Sequence, residues 1–174
     1  MAQIPNITLR HRINGEFVDV SVHDLFKGKR VVLFGLPGAY TPTCSEKQLP
    51  GFESMYIDMI SLGIDEVYCT SVNDSFVMGE WFKDQGIRYV KPLPDGNGHL
   101  AAMLDMLVTK HNCGFGLRSW RYACIINDLE IEVMNEEEGK IDEREDDPYE
   151  VSTPEGIFEY LKTHVVSEFD NEEV

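Results

Sequence analysis

The chain has 174 residues and a formal net charge of −16 at pH 7, enough length for one domain with a buried core. That charge repels phosphate backbones and anionic bilayers alike, which excludes nucleic acid and membrane surfaces as partners. No apolar stretch approaches membrane-spanning length, and Met1-Ala2-Gln3-Ile4-Pro5 lacks the basic and apolar regions of a secretory leader, so a cytoplasmic protein is expected.

Two short strands, Ile7 to Arg10 and Glu16 to Val20, are expected first, joined through the turn signal Asn14-Gly15. Ser21 to Phe26 reads as a short helical turn, ended by Lys27-Gly28-Lys29. Val31-Val32-Leu33-Phe34-Gly35 is an unbroken apolar run, the pattern of a strand buried on both faces. After Cys44 a helix carries Leu49, Phe52, Met55, Tyr56 and Met59 at near-helical spacing, with Pro50-Gly51 expected to kink it.

Glu66 to Val72 has the β-branched and aromatic character of a strand. Asn73-Asp74 then offers a cap for a helix from Ser75 to Lys83, with Phe76, Val77, Glu80 and Trp81 on one face. Tyr89 to Leu93 is a further strand, broken by Pro92 and Pro94, and the turn Asp95-Gly96-Asn97-Gly98 leads to a helix from His99 to Met106. Past the loop His111 to Gly116, strands Tyr122 to Ile126 and Ile131 to Met134 form a hairpin through Asn127 to Glu130. The acidic run Glu136 to Asp147 reads as a solvated loop without the spacing of a calcium-binding hand. Thr153-Pro154-Glu155 opens a last helix through Phe158, Leu161 and Val165. Strands alternating with helices, then a hairpin and a closing helix, describe one three-layer α/β/α domain over residues 1–167, with a frayed acidic tail over 168–174.

Chemistry concentrates in Leu36-Pro37-Gly38-Ala39-Tyr40-Thr41-Pro42-Thr43-Cys44-Ser45. A strand, a turn rich in Pro, Gly and Thr, and a helix start would place Cys44 at a helix N-terminus. Free backbone N–H groups and the positive end of the helix dipole favour a thiolate there. Thr41, three residues upstream, can turn its hydroxyl back toward the sulfur, and Pro37 and Pro42 restrict the backbone on both sides. The other cysteines, Cys69, Cys113 and Cys124, make no Cys-x-x-Cys pair and no dense disulfide framework. His99, His111 and Cys113 are too loosely spaced for a zinc site, so no metal is expected.

The run Leu36 to Ser45, continued by Gln48-Leu49-Pro50-Gly51-Phe52, resembles the active-site motif of the peroxiredoxins of the type 5 (type II) subgroup. Ser71 to Met78 and Pro94 to Gly98 also resemble segments of that subgroup, so the likeness covers most of the chain. It is similar to the peroxiredoxin part of bacterial peroxiredoxin–glutaredoxin hybrids, without their glutaredoxin domain. The resemblance implies a thioredoxin-like fold with an N-terminal strand addition, which the order of elements also suggests. It implies a peroxidase for hydrogen peroxide and alkyl hydroperoxides that uses no cofactor. The peroxidatic cysteine falls on Cys44, the active-site arginine on Arg121 rather than on Arg118, and a homodimer is implied with the Cys44 loop and Ser75–Trp81 near its interface.

On that reading Cys44 attacks a peroxide oxygen and becomes a sulfenic acid. Thr41, Arg121 and backbone N–H groups near Thr43 and Cys44 stabilise the leaving oxygen. Pro37 shields the sulfur, and Gly38, Phe115 and Leu117 complete the pocket, with core packing the alternative for the last two. Some subgroup members carry a late resolving cysteine or a fused Cys-x-x-Cys domain, and neither occurs here. Cys69 and Cys124 fall in expected strands, and Cys113, in a Gly-rich loop, is the one internal candidate for a resolving thiol. One-cysteine chemistry is therefore expected, with glutathione and glutaredoxin as reductants and thioredoxin as the alternative. Two other classes compete. A redox sensor would use the same cysteine, and a binding protein would leave Thr41, Cys44 and Arg121 without purpose.

Overall fold

A computed structural model of the chain describes residues 2–165. A five-stranded mixed sheet forms its middle layer, in the order β5 (Lys91–Pro94), β4 (Glu66–Ser71), β3 (Arg30–Gly35), β8 (Tyr122–Asn127) and β9 (Glu130–Glu136). The central strand is β3 (Arg30–Gly35), buried at every residue, which is why its sequence is continuously apolar. It pairs in parallel with β4 (Glu66–Ser71) and antiparallel with β8 (Tyr122–Asn127). Period-2 alternation sends Val32 and Phe34 to one face and Val31 and Leu33 to the other. The first face packs on helices α2 (Leu49–Ser54), α3 (Tyr56–Ser61), α4 (Ser75–Asp84) and α6 (Pro154–Thr163). The second packs on α1 (Val22–Phe26), α5 (His99–Met103), the hairpin of β1 (Thr8–Ile13) and β2 (Glu16–Ser21), and Trp120. These three layers are a thioredoxin-like α/β fold.

Local chemistry sets the boundaries. Asn14 and Gly15 take φ 52° and 81°, the left-handed pair that a two-residue hairpin turn requires. Asp74 caps α4 through Val77 N–H at 2.9 Å, and the Thr153 hydroxyl caps α6 at Gly156 N–H, with Pro154 behind it. β5 (Lys91–Pro94) contains both prolines that were expected to break it. It is an edge strand paired only with β4, where a missing N–H can face away from the ladder.

Other expectations are corrected. The helical pattern after Cys44 is not interrupted at Pro50-Gly51. A π-turn, Cys44–Gln48, widens it just before Pro50, so the ring meets no carbonyl four residues back, and the break falls at Met55. The buried face of α4 is Met78, Trp81 and Phe82, whereas Phe76 is exposed and meets the Phe17 ring edge-on at 5.9 Å. α5 stops before Leu104 because Asp105 turns to φ 58°. α6 ends at Thr163, short of Val165. A second hairpin, β6 (Leu107–Lys110) with β7 (Gly116–Ser119), flanks the expected loop His111 to Gly116, and neither of its strands was expected. β8 and β9 (Glu130–Glu136) form the expected hairpin, with β9 two residues longer at its end. The tail at 168–174 lies outside the described residues.

Gly35 ends β3 directly opposite Tyr122 of β8. A Cβ there would fall 2.3 Å from Tyr122 Cε1 and 2.7 Å from Cζ, inside a ring that is fully buried. Gly35→Ala is therefore expected to destabilise the fold by about 1–3 kcal/mol through overpacking. Urea denaturation reads this directly, and an unchanged midpoint would contradict the close approach.

Candidate active site

The loop from Leu36 to Tyr40 leaves the carboxyl end of β3 and is fastened on several sides. Leu36 N–H donates to Thr70 O at 3.3 Å, and Ala39 N–H donates to Asn73 Oδ1 at 3.0 Å. Asn73 Oδ1 also accepts from the Ser71 hydroxyl at 2.6 Å. Arg118 donates from Nη1 to Pro37 O at 3.1 Å and from Nε to Phe115 O at 3.2 Å, so it ties the loop to β7. Gly38 must be small for this, because a Cβ would sit 2.2 Å from Arg118 Nη1. Helical backbone begins at Pro42, whose missing N–H costs nothing in a first turn. Cys44 lies in that turn, and the next residue's Oγ accepts from Trp81 Nε1 at 2.9 Å, which fixes the helix start against α4.

Cys44 is fully buried. Its Sγ lies 3.4 Å from Nη1 of Arg121, which reaches back from the residue just before β8 and is 1% exposed. The same Nη1 donates to Gln48 Oε1 at 2.5 Å, and Nη2 donates to Asp147 Oδ2 at 2.5 Å. The guanidinium also lies over the Tyr149 ring, 5.7 Å from its centroid, while Nε is buried without a partner among the described residues. Burial acts to lower the Arg121 pKa, but the Cys44 sulfur and the Asp147 carboxylate outweigh it and raise the pKa above its ordinary value. The site thus holds a fixed cation against a buried sulfur, in surroundings where the attraction is weakly screened. For Arg118 burial dominates and lowers the pKa, with Cys44 opposing.

A cavity of about 250 Å³ opens beside the loop, with Pro37, Thr41, Thr43 and Phe115 in its wall. Leu117 does not belong to that wall: it is 53% exposed, because alternation along β7 turns it outward. Gly38 is buried behind the cavity rather than lining it. Thr41 Oγ1 donates to Gly38 O at 2.7 Å, so its hydroxyl proton is spent on the loop and not on the sulfur.

The remaining cysteines differ sharply in surroundings. Cys69 in β4 and Cys124 in β8 are fully buried. Burial pushes the Cys69 thiol well up, with the Cys44 sulfur adding to the shift, and pushes Cys124 to about 12. Cys113 is exposed and sits at the cavity mouth. Its turn is pinned by the Glu143 carboxylate, which accepts from His111 N–H at 3.1 Å and Asn112 N–H at 2.7 Å.

The acidic run is an irregular and largely exposed loop, as expected, but it is tied to the fold at several points. Asp142 accepts from Thr109 N–H at 2.8 Å, and Arg144 pairs with Asp146. Glu137, 1% exposed, gathers the backbone N–H groups of Glu150, Val151 and Ser152. This strap carries Asp147 and Tyr149 onto Arg121. Sequence reasoning missed Gln48, Asp147 and Tyr149. Gln48 had a signal, since it stands four residues after Cys44 on the same helical face, but Asp147 had none among so many neighbouring carboxylates.

Known proteins resemble this chain over most of its length. The Redoxin family model matches residues 2–150. A peroxiredoxin of Rhizobium etli is 50% identical over 169 residues, covering 92% of this chain and 94% of its own. The hybrid peroxiredoxin hyPrx5 of Haemophilus influenzae is 38% identical over 159 residues, covering 91% of this chain and 64% of that protein. The Plasmodium falciparum antioxidant protein, described as a 1-Cys peroxiredoxin, superposes with a TM-score of 0.89 at 36% identity, covering 93% of this chain and 97% of its own. The chain belongs to the Redoxin family. Within it the protein is a peroxiredoxin of the type 5 group, a thiol peroxidase, as the run Leu36 to Ser45 implied.

Proposed function

We propose that Cys44 is the peroxidatic nucleophile, that Arg121 stabilises both its thiolate and the departing oxygen, and that glutathione with a glutaredoxin restores the thiol. The observation that carries this reading is the 3.4 Å contact between the buried Cys44 Sγ and Arg121 Nη1. The thiolate attacks one oxygen of hydrogen peroxide or an alkyl hydroperoxide, and the O–O bond breaks as the S–O bond forms. Charge develops on the leaving oxygen, which the guanidinium and the free N–H groups of the first helical turn near Thr43 and Cys44 stabilise until it is protonated. Thr41 Oγ1, already donating to Gly38 O, keeps its lone pairs for the peroxide O–H. Pro37 and Phe115 supply apolar wall to the cavity beside the loop, and the full burial of Cys44 limits water at the sulfur.

One-cysteine recycling is supported by the burial of Cys69 and Cys124 within the sheet and by the tethering of the Cys113 turn through Glu143. A disulfide requires Cα atoms within roughly 7 Å, and neither strand cysteine is free to move. The 1-Cys description of the Plasmodium falciparum protein points the same way. A second reading, with Cys113 resolving Cys44, is favoured by its place at the mouth of the same cavity. We further take the protein to be a cytoplasmic homodimer, with exposed Tyr40, Phe17 and Phe76 near the contact.

The test is peroxide consumption with glutathione and glutaredoxin, set beside thioredoxin and its reductase. Sustained turnover with the first pair and at most one equivalent with the second is expected. Sustained turnover with thioredoxin alone, together with a Cys44–Cys113 disulfide mapped after one equivalent of peroxide, would replace the first reading by the second. A single equivalent under both systems would make the protein a sensor.

A further inference from the structure

Lys110, the last residue of β6, is 5% exposed. Its Nζ makes no hydrogen bond or ion pair with any described residue, its one specific contact being the Trp120 ring at 5.9 Å. Its stem is buried, whereas Nζ is not among the enclosed atoms that lack a partner, so the ammonium opens on the cavity with no carboxylate bound to it. Lys110 lines the cavity at the Cys44 loop, beside Thr41, Thr43, Phe115 and Cys113.

The other charges around this cavity are already committed. Arg144 is bound by Asp146 and by the carbonyls of Glu138 and Gly139. Asp147 belongs to Arg121. Asp146 feels Lys110 only through space, as the smallest of the influences on its carboxyl, and both of its oxygens are taken by Arg144. What remains on the wall is one cation without a bound carboxylate, Lys110, and one carboxylate that meets no cation among the described residues, the exposed Glu145. At about 250 Å³ the cavity is smaller than the range usual for whole drug-sized ligands and suits one end of a small molecule.

We propose that Lys110 is the carboxylate-binding residue of a subsite for the reducing thiol, so that this cavity selects a small amino-acid-derived thiol, with its carboxylate on Nζ and an ammonium toward Glu145. The inference rests on the one-cysteine reading above and adds a recognition element to it. Bound in this way, the thiol's sulfur is delivered beside the Cys44 loop. It attacks the sulfenic sulfur, the S–S bond forms, the S–O bond breaks, and the hydroxyl leaves with the thiol's proton as water. Cys44 sulfur is reduced and the incoming sulfur is oxidised by the same electron pair.

The experiment follows this step alone, on protein oxidised with one equivalent of peroxide. Mixed-disulfide formation at Cys44 is timed by mass spectrometry with glutathione, with its diethyl ester, and with 2-mercaptoethanol. Loss of one charge-assisted contact should slow glutathione about tenfold in Lys110→Met. The diester should react with the unaltered protein at that same reduced rate and should lose nothing further in Lys110→Met. Lys110→Arg, which keeps the charge, should recover most of the glutathione rate, and this variant keeps the test decisive if the methionine protein folds poorly. Equal rates for glutathione and its diester in the unaltered protein, or an equal slowing of all three thiols by Lys110→Met, would overturn the subsite while leaving one-cysteine recycling intact. Failure of every thiol to form a mixed disulfide at Cys44 would instead remove the one-cysteine reading, and the subsite with it.

Discussion

Cys44→Ser is expected to abolish peroxide turnover to the uncatalysed background. A serine hydroxyl in the same place does not ionise at working pH, so Arg121 has no anion to hold and the peroxide meets no nucleophile. No other cysteine replaces it. Cys69 and Cys124 are enclosed by the sheet and its helices, and burial pushes both thiols up, Cys124 to about 12. Cys69→Ser and Cys124→Ser should therefore keep turnover and lose stability, because each puts a hydroxyl into an apolar site at a cost of roughly 1–3 kcal/mol. Coupled consumption of peroxide and unfolding in urea separate the two effects. Residual turnover in Cys44→Ser that disappears when Cys113 is also replaced would move the nucleophile to Cys113 and refute the assignment.

The same contrast explains what the sequence disclosed. β3 was legible because a strand covered on both faces must be apolar at every position, and Val31 to Phe34 are. The Asn14-Gly15 turn and the caps Asp74 and Thr153 were legible because each depends on one residue's own backbone or side chain. The strand–loop–helix junction that carries Cys44 was legible for a similar reason, since it is a local pattern. The hairpin of β6 and β7 was not, because four residues per strand show no periodicity and Gly116-Leu117-Arg118-Ser119 carries no apolar run. The helix break moved from Pro50 to Met55 because a π-turn removes the clash that makes proline a breaker. Long-range partners were hidden altogether. The Arg121–Asp147 pair joins positions 26 apart, and nothing distinguishes Asp147 from its acidic neighbours until the strap is folded by Glu137 and Glu143.

Arg121→Lys should slow oxidation of Cys44 by about a hundredfold or more, the typical effect of removing one preorganised donor from a site of developing charge. Lysine keeps the positive charge, so the loss would come from geometry. The Arg121 fork meets Cys44 Sγ and Gln48 Oε1 through one nitrogen and Asp147 through the other, each on a fixed line. An ammonium is a single point on a flexible stem and cannot span the same three partners in one plane. Two comparisons make the result specific. Alkylation of Cys44 by iodoacetamide needs a thiolate but no donor for a leaving oxygen, so it should fall far less than the peroxide reaction. Asp147→Asn removes the anchor while leaving Arg121 in place, and should lower the peroxide rate with little change in alkylation, with Asp147→Glu recovering part of it. Arg118→Lys breaks the ties to Pro37 and Phe115 and should act more weakly, through the shape of the loop. If Arg118→Lys were the damaging change and Arg121→Lys silent, the cation facing the developing charge would be Arg118, and the contact at Cys44 would be packing rather than chemistry.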